Sequence, residues 1–183
     1  NSGNQFRRFN TSDLNDRPEQ TKSVEMSKDY YVVTLYNDVK RNQYAYIDDS
    51  DLFGEKVIYL ERDDRDAATE ADYVMVDFFL EWSPVMTNED VYVMGAITDW
   101  NFDEKNKMTY DFERRGYALS LLLKQGYYDY IYAVKEKTQS VADVSVVAGD
   151  FWETKNEYTI YLYLFDPTQY YDQLIGVTTV LSH

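Results

Sequence analysis

Trp100, set between Asp99 and Asn101, is the arrangement in this chain best suited to binding chemistry. A flat indole stacks on the apolar face of a sugar ring, and a carboxylate and an amide beside it take the hydroxyl hydrogen bonds. Trp152, which follows Asp150-Phe151, offers a second platform of the same kind. A glycan site built from Trp100, Asn101 and Trp152 is therefore one expectation. The competing one is burial, the ordinary fate of large aromatics, with Trp100 plugging an edge and Trp152 anchoring a loop. Trp82, just before Ser83-Pro84, reads as structural.

Tyrosine supplies the second set of candidates, 19 residues of 183. Strand alternation puts Tyr128, Tyr130 and Tyr132 on one face, with Tyr158, Tyr161 and Tyr163 adding to the total. Exposed tyrosines make good protein-binding surfaces because they bury much area at little entropy cost. Tyr128, Tyr130 and Tyr132 are accordingly candidate partner contacts, and the filling of an amphipathic strand is the competing account.

Catalytic parts are scarce. The one histidine is His183, the last residue, and there is no cysteine. Thiol and Ser-His mechanisms lack their components, as do His/Cys zinc sites. With 33 acidic residues, carboxylate pairs arise by chance, and solvated surface charge accounts for them. Asp48-Asp49-Ser50-Asp51 and Asp63-Asp64-Arg65-Asp66 lack the ligand spacing, glycine and terminal glutamate of a calcium loop. We therefore expect no enzyme activity, no cofactor and no metal. The net charge of −15 argues against nucleic acid and anionic membranes as partners. No apolar run approaches the roughly 20 residues of a membrane helix, so direct insertion is not expected. A chain that starts at Asn1 is expected of a processed or excised piece.

The elements that must position these groups are strands. Dense β patterns run over 30–36, 44–47, 56–60, 73–80, 90–97, 108–112, 117–123, 127–134, 157–165 and 174–181, with a weak strand over 144–147. Residues 44–47 and 56–60 read as a hairpin, and Gln125-Gly126 as a turn between two strands. No amphipathic helix of ordinary length is visible. The organisation expected is a polar lead-in or linker over 1–27, pinned at Phe6 and Phe9, then a β-hairpin region over 28–66, either on its own or as part of a preceding β-domain, then a β-sandwich over 67–183. The acidic stretch from Glu61 to Asp72 is the expected boundary.

Val91-Tyr-Val-Met-Gly-Ala-Ile-Thr-Asp-Trp100, followed by strands on either side of Gln125-Gly126, resembles the early-set immunoglobulin-like sandwiches that include glycogen- and starch-binding modules. That resemblance implies an all-β, immunoglobulin-like sandwich with an additional N-terminal hairpin region. A more specific likeness lies in Thr69-Glu-Ala-Asp-Tyr-Val74, Asp90 through Trp100, Asn106-Lys-Met-Thr-Tyr110, Leu121-Leu-Leu-Lys-Gln-Gly-Tyr-Tyr128, Glu153-Thr-Lys-Asn-Glu-Tyr158 and Tyr171-Asp-Gln-Leu-Ile-Gly176. In these phrases, in order from about Phe6 to Val177, the chain is similar to a Bacteroidota family associated with the plug protein of the type IX secretion system. The resemblance implies a non-catalytic periplasmic cap, associated with the outer membrane, that closes a large secretion barrel. It also implies an earlier β-domain, so that this chain corresponds to a C-terminal portion. A basic residue is expected where Gln173 stands, which makes Gln173 a candidate partner contact. Glycan binding remains the alternative function.

Overall fold

Period-two alternation builds the strands, and long-range pairing decides where they go. The computed structural model describes residues 6–15, 19–41, 52–60, 71–151, 157–168 and 170–181. In chain order the strands are β1 (Arg7–Asn10), β2 (Thr21–Met26), β3 (Tyr31–Leu35), β4 (Lys56–Ile58), β5 (Tyr73–Glu81), β6 (Glu89–Met94), β7 (Thr109–Asp111), β8 (Gly116–Lys124), β9 (Gly126–Glu136), β10 (Glu157–Asp166) and β11 (Tyr171–Leu181). A single 3-10 turn, Ala96–Thr98, and one helical turn, α1 (Ser145–Ala148), complete the described elements.

The fold is an all-β sandwich. One sheet has the order β2-β3-β5-β8-β7, antiparallel except for the parallel pair β3–β5. The other centres on β9, whose first half lies between β1 and β4 and whose second half pairs with β6. β10 and β11 pair with each other in a two-stranded ribbon.

The core fills the space between the two sheets. In β5, Val74, Val76, Phe78 and Leu80 alternate onto one side and are buried. They meet Phe9 from β1, Val91 and Val93 from β6, and Tyr128, Tyr130 and Tyr132 from β9. Phe9 stacks on Tyr128 at 5.2 Å between ring centroids, and the edge-on pair Phe78–Tyr130 also lies at 5.2 Å. Aromatic pairs at such separations add roughly 0.5–1.5 kcal/mol each beyond the area they bury.

Several elements depart from the sequence expectation. The polar first 27 residues supply β1 and β2, one strand to each sheet, and Phe9 is in the core as expected. β3 and β4 likewise go to different sheets, and β4 pairs with β9, so both sheets draw strands from either side of the expected boundary. Residues 44–47 and most of the 61–72 boundary lie outside the described residues, as do both acidic stretches. The weak strand expected over 144–147 is α1, opened by an Asp143 side chain that accepts from the Ser145 amide and hydroxyl. Gln125-Gly126 is a crossover, because β8 belongs to one sheet and β9 to the other. Thr11 secures it: its amide donates to the Gly126 carbonyl at 2.8 Å and its hydroxyl accepts from the Gly126 amide at 3.1 Å. A Cβ at Gly126 would sit 2.3 Å from the Val57 carbonyl oxygen, so only glycine fits.

One carboxylate joins the two sheets. Asp38 accepts from Arg7 Nη1 at 2.5 Å, and its other oxygen accepts from the hydroxyls of Tyr130 and Tyr132, each at 2.7 Å. Its backbone pairs with β5, donating to the Phe79 carbonyl and accepting from the Glu81 amide, both at 2.8 Å. Asp38 and Arg7 are 14% and 7% exposed, so removing one strands the other's charge in a poorly solvated site. We expect Asp38→Ala to destabilise the protein by about 3–5 kcal/mol. That should lower the melting temperature by roughly 10 °C, with Asp38→Asn losing less because it keeps an acceptor. Calorimetry checks both.

Candidate functional site

The face of the β9 sheet turned away from the core carries the candidate site. The register sets Arg8 opposite Asp129 and Val57 opposite Tyr127, and alternation sends these side chains away from Tyr128 and Tyr130. Asp129, fully buried, holds down the turn 52–55: its Oδ2 accepts from the Leu52 and Gly54 amides. The Gly54 carbonyl in turn accepts from the Ala96 amide at 2.7 Å. This turn and the end of β4 wall a groove of about 470 Å³, lined by Arg8, Glu19, Leu52, Val57, Tyr59 and Tyr127 with Tyr128 and Asp129 behind. The Tyr59 and Tyr127 rings lie 6.2 Å apart, tilted by 38°. Arg8 Nε and Glu19 Oε1 pair at 3.2 Å on the rim, an exposed contact worth little by itself.

Trp100 stands at the neighbouring end of this surface, over Gly54, which lies two residues along the turn from Leu52. Its ring covers Gly54 and meets Phe6 edge-on at 6.0 Å. It is neither core nor free platform: 44% exposed, with one side committed to packing. The residue follows Asp99, and both adopt left-handed backbone, at φ 58° and φ 51°. Asp99 pairs with Lys56 at 3.2 Å, tying the Trp100 loop to β4. Asn101 is exposed, and its carbonyl accepts from Asn106 Nδ2 at 2.7 Å. Asn106, buried, also donates to the Val93 carbonyl, so it fixes the loop that displays Trp100 and Asn101. Trp152 and His183 lie outside the described residues.

The tyrosine ladder requires a correction. Tyr128, Tyr130 and Tyr132 do share a face, but it is the core face, and they are 2%, 2% and 0% exposed. They cannot present a partner surface because the five-stranded sheet covers that side of β9. Tyr127, on the opposite face and 37% exposed, is the residue that reaches solvent. Gln173 is exposed on β11, opposite Leu164 in the ribbon, and does not line the groove. The Tyr59–Tyr127 groove was legible only as the alternation of 127 against 128. Nothing local marks residues 56–58 as the neighbour of β9.

No family model and no curated protein matches this chain. Among solved structures, a hypothetical protein from Parabacteroides merdae is similar, with a TM-score of 0.90 and 35% sequence identity. The match covers 99% of this chain and 45% of that one, so this chain spans less than half the length of that protein.

Two predictions follow from the geometry. Burial first raises the phenols of Tyr128, Tyr130 and Tyr132 above the ordinary value of 10.0, with Tyr73 adding to Tyr128 and Asp38 to the other two. Folded, these groups keep protons that the unfolded chain gives up above that pH, so their contribution is complete below pH 10 and is lost as pH rises beyond it. Denaturation midpoints should therefore fall above about pH 10, and a late phenolate absorbance step should coincide with unfolding. Separately, Gly54 has φ 81° and an added Cβ would lie 2.6 Å from Trp100 Cη2. Gly54→Ala should cost about 1–3 kcal/mol and shift tryptophan emission to the red as the indole is displaced, measurable by denaturant titration and fluorescence.

Proposed function

We propose that this chain is a non-catalytic, partner-binding sandwich that docks on an outer-membrane secretion translocon from the periplasmic side and closes it. The observation that carries the reading is the outer-face groove, where Tyr59, Tyr127, Leu52 and Val57 offer apolar area beside Arg8. Tyrosine and arginine anchors around a preformed groove are the composition of protein-binding hot spots. Hydrogen bonds donated to Asp129 by the Leu52 and Gly54 amides fix the turn that walls it, so little entropy is lost when a partner side chain enters. The choice of a secretion barrel as the partner rests on the family resemblance of the phrases between Thr69 and Gly176. Closure is steric: a rigid sandwich seated on the opening blocks it without chemistry.

Glycan binding is the second reading, favoured by the half-exposed Trp100 with exposed Asn101 beside it. The two separate in one experiment on the intact protein, a pull-down from outer-membrane extract. The first predicts co-purification of a large β-barrel, with retention reduced at least about tenfold by Tyr59→Ala/Tyr127→Ala and little changed by Trp100→Ala. Retention on glycan beads without a barrel, abolished by Trp100→Ala, would replace it with the second.

A further inference from the structure

The ribbon formed by β10 and β11 has no strand partner among the described residues other than itself. Its composition is nevertheless that of an interior element. By the register, Tyr158, Ile160, Leu162 and Val180 share one face, and Tyr161, Tyr163, Phe165 and Val177 share the other. All eight are between 50% and 58% exposed, so neither face is covered. A surface hairpin alternates apolar with polar, whereas near-continuous apolar runs belong to strands buried on both faces. An isolated two-stranded ribbon is at best marginally stable in water. Among the described residues nothing covers either face of the ribbon.

The comparison structure is longer than this chain. It matches 99% of this chain, which leaves room for only about two residues outside the match, so the ribbon lies within the shared fold. The same match takes up 45% of that longer polypeptide, so more than half of it lies outside. We propose that the β10–β11 ribbon is a docking element for a second folded unit of the same polypeptide, lying outside residues 1–183. That unit takes up both ribbon faces and offers strands to the open edges of β10 and β11. The recognition chemistry is apolar and aromatic on the faces and backbone hydrogen bonding along the edges. Asp166, Asp172 and Gln173 stay at the solvated tip, where Asp166 caps the turn by accepting from the Thr168 amide and hydroxyl.

The inference is independent of the groove and is tested on the intact protein. A photocrosslinking phenylalanine replaces Ile160 in one variant and Tyr161 in another, one on each face, and cross-linked peptides are mapped by mass spectrometry. Amide exchange across β10 and β11 is followed in the unmodified protein. The expected result is concentration-independent cross-links from both faces to peptides outside residues 1–183. Ribbon amides should also exchange at least roughly a hundredfold more slowly than free peptide. Cross-links to a second copy, to a different protein, or back into residues 1–183 would overturn the proposal. Unprotected ribbon amides would overturn it as well.

Discussion

Asp38 is a single carboxylate placed where two sheets meet, and much of the architecture depends on satisfying it. Its backbone extends the edge of β5, while its side chain accepts from Arg7 on β1 and from Tyr130 and Tyr132 on β9. A buried charge is tolerable only when its hydrogen-bonding capacity is used, and here both oxygens are engaged. Arg7 is held in the same way, with a second donation to the Val39 carbonyl at 2.6 Å and its guanidinium 5.4 Å from the Tyr132 ring centroid. Because the partners come from distant parts of the chain, the network forms only when both sheets are in register.

β9 carries the consequences. Its Tyr128–Tyr132 face fills the space between the sheets, and its Tyr127–Asp129 face is the base of the groove. A strand committed on both faces leaves the molecule only its periphery for recognition. The groove therefore arises where the turn 52–55 rises over Asp129, and Trp100 is displayed where an Asn106-fixed loop passes over Gly54.

The groove and the ribbon are both apolar surfaces, and they differ in kind. The groove is backed by a sheet and walled by a hydrogen-bonded turn, so it exists before any partner arrives. The ribbon has no backing among the described residues and exposes both faces at once. The first suits a partner that comes and goes. The second suits a permanent neighbour, since apolar area left bare on both sides of two strands invites unwanted pairing.

By itself the sequence determined the all-β class and most strand positions. β5, β6, β8 and β9 lie where alternation and β-branched or aromatic runs placed them, because that signal is local and has period two. The tertiary structure decided what alternation leaves open. Period two says that Tyr127 and Tyr128 face opposite ways, but only the five-stranded sheet across the core decides which is buried. Gln125-Gly126 resembles a hairpin turn locally, yet the strands beside it join different sheets because Thr11 and Val57, far away in sequence, close on Gly126. Arg7 and Asp38 leave bulk water together because each is the other's partner across 31 residues of chain. Pairing at such separations leaves no mark in the local pattern, so the core face, the groove and the crossover became visible only in the folded chain.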